Sequence, residues 1–173
     1  EIIPVLEDNY IYLVHDHESK QTVVVDPSLD EPVLNFLEER KWTLNAIWNT
    51  HHHWDHTGGN LGLKKQSSCK IYGPEEIKHP IPGADYNLQE KDTLKIGSKN
   101  VSIIETPGHT SRAICFWIKE ENILFCGDTL FSLGCGRLFE GTAKELWQSL
   151  EKIKKLPQKT LIYAAHEYTE QNC

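Results

Sequence analysis

The sequence Asn49-Thr50-His51-His52-His53-Trp54-Asp55-His56-Thr57-Gly58-Gly59-Asn60 decides how the rest of the chain is interpreted. It places four of the nine histidines of the protein and one carboxylate within six positions. Imidazole and carboxylate groups at this density favour a zinc- or iron-class ion over calcium or magnesium. Because buried adjacent imidazoles without a metal would be costly to desolvate, the stretch predicts a metal site.

The flanking residues place these histidines on a loop. An apolar run at residues 46–48 leads into the stretch and two glycines follow it, which is typical of a loop at the carboxyl end of a strand. In extended backbone alternate side chains share a side, so His51 and His53 can converge on one ion. Asp55 and His56 come from the turn beyond and reach a second point. One loop is therefore predicted to serve two adjacent ions.

Three further candidate ligands follow strand-like runs later in the chain. They are His109 in Gly-His-Thr, Asp128 in Gly-Asp-Thr and His166 in Ala-His-Glu. Because the loops at one edge of a layered α/β protein form its functional rim, we expect one edge to gather all of the candidates. With Asp128 as a bridge, one ion takes His51, His53 and His109, and the other takes Asp55, His56 and His166. The other histidines lack strand-end context and are interpreted as solvated or supporting residues: His15, His17, His52 and His79.

Composition limits the classes of function. A chain of 173 residues is long enough for one domain with a sizeable core. A net charge of −7 gives no basic stripe for nucleic acid, and neither a transmembrane run nor a basic leader is present in the sequence. Five scattered cysteines suit free thiols in a reducing compartment. We therefore expect a cytoplasmic monomer that binds neither nucleic acid nor membrane.

The order of predicted elements indicates two mixed sheets. Residues 10–14 and 22–26 predict a hairpin, followed by a helix near Pro32, a strand and the metal loop. From residue 93 to residue 126 the pattern is strongly β, and Thr142 and Glu145 form a capping box that opens the clearest helix. A closing strand precedes His166. Two halves that each combine strands and a helix predict sheets stacked face to face with helices outside.

Together these motifs resemble the metallo-β-lactamase superfamily, through His-x-His-x-Asp-His, Gly-His, Gly-Asp-Thr and the late histidine. Residues 134–142, Gly-Cys-Gly-Arg-Leu-Phe-Glu-Gly-Thr, and residues 166–169 narrow the resemblance to the glyoxalase II, or hydroxyacylglutathione hydrolase, family. The resemblance implies a four-layer αββα sandwich of the α/β (α+β) class, with two mixed β-sheets and outer helices. It also implies two divalent metal ions, zinc first, with iron or manganese as alternatives. The implied reaction hydrolyses S-D-lactoylglutathione to D-lactate and glutathione, the second step of methylglyoxal detoxification.

The ligand set agrees with that reaction. A thioester carbonyl is electrophilic enough for attack by water activated between two cations, so no serine or cysteine nucleophile is required. Asp55 and Asp128 are predicted to serve catalysis as well as metal binding, Asp55 by accepting a hydrogen bond from the nucleophile. Asp26 is predicted to support a ligand histidine, with a strand-ending turn at Asp26-Pro27 as the alternative.

Substrate contacts are predicted from the same resemblance. Glutathione brings two carboxylates to an acidic protein, so a local cation is needed, and Arg137 stands where the family has lysine or arginine. Tyr168 matches a family tyrosine that contacts glutathione, and Phe139 stands where some members have tyrosine. Arg112-Ala113 departs from the Gly-His pair common after this Gly-His-Thr motif, which affects the local loop rather than the ligands.

Two alternative functions follow from the same residues. One is a mononuclear-iron persulfide dioxygenase of the same superfamily, and the other is an inactive metal-bound interaction domain. The complete second ligand set and residues 134–141 favour the hydrolase. In the family the metal domain is followed by a smaller all-α domain that binds glutathione. We expect residues 1–173 to be the catalytic domain, with that all-α domain absent from this chain.

Overall fold

A computed structural model describes residues 1–76 and 78–173. The first of its two large sheets has six strands in the order of the chain. They are β1 Ile2–Val5, β2 Asn9–His15, β3 Thr22–Val25, β4 Leu44–Trp48, β5 Lys70–Pro74 and β6 Tyr86–Leu88. Pairing is antiparallel from β1 to β3 and parallel from β3 to β6, so the sheet is mixed.

The second large sheet comes from the later part of the chain. Its first four strands are β7 Thr93–Ile96, β8 Lys99–Glu105, β9 Ile114–Ile118 and β10 Ile123–Gly127. A separate ribbon follows, made of β11 Leu130–Phe131 and β12 Gly134–Cys135. The last strand, β13 Leu161–Ala164, pairs in parallel with β10, whereas the other pairs of this sheet are antiparallel.

Among the described residues, three longer helices pack on the outer faces of the two large sheets, and two four-residue helices lie in loops. They are α1 Glu31–Arg40, α2 Trp54–Thr57, α3 Asn60–Ser67, α4 Ala143–Lys154 and α5 Thr169–Asn172, with a 3-10 turn at Lys119–Glu121. Within the described part of the chain, no helix is both long and apolar enough to cross a membrane.

Three apolar clusters hold the layers together. The cluster between the sheets includes Trp48 of β4 and Phe116 of β9, whose rings stack 5.2 Å apart. A second cluster joins the first sheet to α1 and α3, and a third joins the second sheet to α4 through Leu124 and Ile153. The layers therefore run helix, sheet, sheet, helix, which confirms the predicted four-layer αββα sandwich.

Local sequence explains the main elements. The four residues of β3, Thr-Val-Val-Val, are buried on both faces, as expected for a strand with helices on one side and a second sheet on the other. The Asp30 side chain accepts from Glu31 N at the start of α1, and the predicted capping box of Thr142 and Glu145 opens α4. The sequence did not predict β1, β6, the β11–β12 ribbon or α5.

Candidate metal centre

The predicted ligand residues lie at one edge of the two sheets. The loop after β4 carries His51, His53, Asp55 and His56, while the loops after β8, β10 and β13 carry His109, Asp128 and His166. Five of the seven are buried: His51, His56, His109, Asp128 and His166. The structure thus brings together residues from both halves of the chain.

Three histidines form the first cluster. His53 Nδ1 lies 3.1 Å from His51 Nε2 and 3.1 Å from His109 Nε2. The alternation predicted for the loop places His51 and His53 on the same side, since their ring centroids are 4.7 Å apart. Three imidazole nitrogens that face one another at these distances can share one cation.

The second cluster combines two histidines and a carboxylate. His56 Nε2 lies 3.3 Å from His166 Nε2. Asp55 Oδ2 lies 3.5 Å from His56 Nε2 and 3.4 Å from His166 Nε2. These atoms can hold a second cation, with α2 supplying Asp55 and His56 from one turn.

Asp128 reaches both clusters. Its Oδ1 lies 3.4 Å from His56 Nε2 and 3.3 Å from His166 Nε2, and its Oδ2 lies 3.3 Å from His109 Nε2. Among residues 1–76 and 78–173, its buried Oδ1 has no hydrogen-bond partner. A buried carboxylate oxygen without a partner is costly unless a cation satisfies it, so the residues present fit a pair of metal ions.

Asp26 organises the metal loop from behind. Its Oδ1 accepts from Thr50 N at 2.7 Å and its Oδ2 from Thr50 Oγ1 at 2.6 Å. His56 Nδ1 lies 3.1 Å from Asp26 Oδ2, and His51 Nδ1 lies 3.0 Å from Thr50 Oγ1. Because Asp26 and the Thr50 hydroxyl occupy the Nδ1 sides, both histidines present Nε2 to the ligand positions.

The histidines from the second sheet are oriented in the same way. His166 Nδ1 lies 2.7 Å from Asp8 Oδ1, and His109 Nδ1 donates to the Arg137 backbone carbonyl at 2.9 Å. An acceptor on Nδ1 fixes the ring and leaves Nε2 free for a metal. Four of the five candidate ligand histidines are therefore held by a partner on the nitrogen that faces away from the centre.

The two clusters differ in charge. Burial lowers the pKa of His51 and His109, and lowers that of His53 to about 4, so the first cluster consists of neutral imidazoles. Burial also opposes charging of His56, but the carboxylates around it, Asp128 first, raise its pKa well above the ordinary value. The carboxylates around the second cluster thus favour the protonated form of His56, and a cation bound there would compete with that proton.

Gly136 allows the close approach of two site loops. A Cβ at this position would overlap the backbone carbonyl oxygen of Asp128 and would lie 2.9 Å from His109 Nδ1. The loop after β12 can approach this closely only because the residue has no side chain. That loop also carries two of the three predicted substrate residues, Arg137 and Phe139.

A cleft of about 460 Å³ opens beside the centre. It is lined by His109 and Asp128 together with the three predicted substrate residues, Arg137, Phe139 and Tyr168. The Phe139 ring meets His109 edge to face at 5.3 Å, and the Tyr168 ring stacks on His166 at 4.9 Å. The Arg137 side chain is exposed.

His52 lies beside the metal loop, between two glutamates. Its Nδ1 lies 3.4 Å from Glu76 Oε1 and its Nε2 lies 3.2 Å from Glu140 Oε1. Its ring stacks on His79 at 5.1 Å. Among the other histidines read as solvated or supporting, His15 stacks on Trp42 at 3.9 Å.

Sequence reasoning missed Asp8, Asn9 and Thr50. Asn9 Nδ2 donates to Asp55 Oδ2 at 3.1 Å and to the Asp55 backbone carbonyl at 3.2 Å. The signal available was a carboxylate and an amide directly before a strand, which also describes an ordinary turn. The adjacent backbone bond from Tyr10 N to the Ala165 carbonyl, 2.8 Å long, brings that turn to the centre.

Comparison with known proteins agrees with the geometry. A family model described as the metallo-beta-lactamase superfamily matches residues 5–166. The hydroxyacylglutathione hydrolase of Rhodospirillum rubrum is 51% identical over 170 residues, which are 98% of this chain and 66% of that protein. The hydroxyacylglutathione hydrolase of Bdellovibrio bacteriovorus is 45% identical over 172 residues, 99% of this chain and 68% of that protein. The chain thus spans about two thirds of the length of these relatives.

Solved structures show the same architecture. The crystal structure of the BLEG-1 B3 metallo-beta-lactamase superimposes with a TM-score of 0.87 at 27% identity, and covers 96% of this chain and 91% of that one. The crystal structure of ETHE1 from Myxococcus xanthus superimposes with a TM-score of 0.81 at 30% identity, and covers 92% of this chain and 71% of that one.

Proposed function

Because the chain belongs to the metallo-β-lactamase superfamily and, within it, to the hydroxyacylglutathione hydrolase family, we propose that it is a metal-dependent thioester hydrolase. The proposed substrates are S-(2-hydroxyacyl)glutathiones such as S-D-lactoylglutathione, with glutathione and the 2-hydroxy acid as products. The observation that carries the proposal is the position of Asp128 between two complete ligand clusters. We assign residues 1–173 to the catalytic domain of such an enzyme.

The donor set supports two divalent ions. Five imidazoles and two carboxylates suit zinc, with iron or manganese as alternatives. When bound, two such ions supply water of lowered pKa and polarisation of the thioester carbonyl.

Asp55 has the contacts of a hydrogen-bond acceptor in this reaction. Burial raises the pKa of its carboxyl group, but contacts with His56 and Asn9 lower that pKa by more than burial raises it. The net shift is downward, so the group stays ionised at neutral pH. Its Oδ2 is held by Asn9 and faces the second cluster. In this position Asp55 can accept a hydrogen bond from the attacking water. This bond orients a lone pair of the water toward the thioester carbonyl.

The leaving group needs little help from the chain. A thiol has a pKa of about 8.5, so a thiolate can depart without a general acid. The cleft beside the centre holds the glutathione part of the thioester, which is called the thiol arm below. In this cleft Arg137 pairs with a glutathione carboxylate and Tyr168 contacts the peptide. Phe139 forms a wall next to His109.

The two alternative functions have less support. A mononuclear-iron dioxygenase needs one ion, whereas Asp55, His56 and His166 form a second cluster whose donor atoms lie within 4.8 Å of one another. An inactive interaction domain has no use for an oriented histidine set. The hydrolase therefore accounts for more of the site than either alternative does.

The test combines metal analysis and turnover on one sample. We expect close to two ions per chain and loss of thioester absorbance with S-D-lactoylglutathione, with the chelated protein as the blank. A preparation that saturates at one iron and consumes oxygen with a persulfide would instead support the dioxygenase. A fully loaded protein that hydrolyses no thioester would reject the proposal.

A further inference from the structure

Arg112 has no part in the function proposed above, yet it borders a second cleft beside the centre. This cleft, called the acyl-side cleft below, has a volume of about 510 Å³, and its lining includes Glu76, Lys78, His79, Arg112, Phe139 and Glu140. Phe139 also lines the cleft that contains Arg137. The Phe139 ring thus separates two clefts, each of which holds an arginine.

The two carboxylates of the acyl-side cleft both face His52, and Glu140 is also hydrogen-bonded to the backbone. Glu140 Oε2 accepts from Ser111 N at 2.9 Å, and its Oε1 lies 3.2 Å from His52 Nε2. The Glu76 side chain is only 4% exposed and faces His52 Nδ1 at 3.4 Å. His52 thus lies between the two acids, and burial of the Glu76 side chain keeps its carboxylate away from the open part of the cleft.

The cations of the cleft are not engaged in this way. In the ranges 1–76 and 78–173, no carboxylate lies within 4.0 Å of the Lys78 ammonium or the Arg112 guanidinium. Arg112 and Lys78 therefore keep their hydrogen-bond donors for a ligand.

Arg112 also borders a neighbouring cleft lined by Glu75, Glu105 and Glu145. Glu145 accepts from Thr142 in the capping box, and Glu105 Oε1 accepts from Glu90 N at 3.3 Å. Two of these three carboxylates thus have hydrogen-bond partners. The acyl-side cleft places a second cation, Lys78, on its lining together with Arg112.

The position of Phe139 relates the acyl-side cleft to the reaction. Its ring lies 5.4 Å from the His53 ring and 5.3 Å from the His109 ring, and the residue is 64% exposed. A thioester whose carbonyl lies at these histidines has two arms, which leave it in opposite directions. If the thiol arm runs to Arg137, the acyl arm runs past Phe139 toward Arg112.

We propose that Arg112 and Lys78 form an anion subsite for a carboxylate at the end of the acyl arm. The enzyme would then accept monothioesters of dicarboxylic acids in addition to 2-hydroxyacyl thioesters. The inference rests on the proposed thioester hydrolase function, since that function places the carbonyl between the two clefts. A guanidinium and an ammonium together match a carboxylate through charge-assisted hydrogen bonds.

The test uses binding, so that it does not depend on turnover. The probes are two stable thioethers, S-(3-carboxypropyl)glutathione and S-(3-carbamoylpropyl)glutathione, which differ only in a terminal carboxylate or carboxamide. Calorimetry on the metal-loaded protein should give the lower Kd for the carboxylate. Arg112→Gln should weaken binding of the carboxylate about five- to tenfold and that of the carboxamide much less, because the subsite is open to solvent.

Three further variants sharpen the comparison. Lys78→Gln should act in the same direction as Arg112→Gln, and Arg112→Lys should recover part of the preference because it keeps the charge. Lys159→Gln removes an exposed cation just before β13, at the edge opposite to the centre, and should leave the ratio of the two Kd values unchanged.

The outcomes separate the inference from the function it rests on. Equal weakening of both probes by Arg112→Gln would mean that the cleft binds a carboxylate of glutathione, and no weakening would mean that it binds no part of the substrate. Either result overturns the acyl-side assignment. If Arg112→Gln changes the Kd ratio as expected but the protein hydrolyses no thioester, the anion subsite is supported and the proposed reaction is rejected.

Discussion

Asp128 presents one carboxylate oxygen to each ligand cluster, so its removal affects two cations at once. We expect Asp128→Ala to lower metal occupancy at both positions, as measured by mass spectrometry of the metals after gel filtration. Glu18→Ala removes an exposed carboxylate from a distant turn and should retain close to two ions. Loss confined to one position, or a wild-type protein that saturates at one ion, would contradict the bridging role.

Arg137 contributes to the site in two separable ways. Its backbone carbonyl supports His109, and its exposed guanidinium faces the cleft. Arg137→Ala keeps the carbonyl, so we expect KM for S-D-lactoylglutathione to rise with little change in kcat. Because water screens an exposed ion pair, the expected loss is about 1 kcal/mol, or roughly fivefold. Arg40→Ala on α1 is the control, and an unchanged KM would place the glutathione carboxylates elsewhere.

At the scale of single residues, the sequence predicted what depends on local chemistry. The spacing of His51, His53 and Asp55 is visible in one loop because alternation and a turn act over a few residues. The contact of Asp8 with His166 spans 158 positions, and nothing near Asp8 distinguishes it from a polar turn. Contacts of this kind depend on tertiary structure and could not be predicted from the sequence.

The turn between β2 and β3 gives a prediction for a single element. Asp16 accepts from the Ser19 side chain and backbone and lies 3.2 Å from Lys99 Nζ, which lowers its pKa from 3.8 to about 2. Because the pKa of Asp16 is lower in the folded state, its carboxylate stabilises the fold at pH values above the unfolded-state pKa of 3.8. That contribution is lost as pH falls through about 2.

We therefore expect Asp16→Asn to lower the urea midpoint of the metal-free protein at pH 6. The difference from wild type should shrink as pH falls from 4 toward 2, because the wild-type carboxylate then becomes protonated. Glu18→Gln in the same turn is the control and should show no such pH dependence. A constant difference down to the lowest pH would show that the effect of the substitution is not due to the charge.

The helix α4 depends on its cap and supports the His109 loop. Ser149 Oγ on α4 donates to the Pro107 carbonyl at 2.7 Å. Thr142→Ala removes one half of the capping box and should lower the free energy of unfolding by about 1 kcal/mol, as measured by urea denaturation. Thr142→Ser keeps the hydroxyl and should stay close to wild type. Equal loss in both variants would mean that the methyl group, not the cap, is responsible.

Among the elements, length and pattern determined what could be predicted. The hairpin β2–β3 and the helices α1 and α4 carry strong periodicity or caps, and the structure contains them. The strand β1 includes Pro4, and β6 has only three residues, so neither shows a strand pattern by itself. Their pairing with β2 and β5 creates them, because tertiary contacts override weak local preference.

At the scale of the whole molecule, the candidate ions connect the two sheets. His51 follows β4 of the first sheet, whereas His109, Asp128 and His166 follow strands of the second. Ions that bind only the folded state add about 2.7 kcal/mol each when free metal is 100 times Kd. Chelation should therefore lower Tm in scanning calorimetry, and by less in Asp128→Ala. An unchanged Tm after complete metal removal would contradict this connection.

The contact between Asp8 and His166 also sets an order of events during synthesis. The three histidines of the first cluster are all present once residue 109 has emerged from the ribosome, but His56 must wait for His166 before its own cluster is complete. His166 then docks on a turn that was made 158 residues earlier. A nascent chain therefore has the donors for one ion before it has those for two.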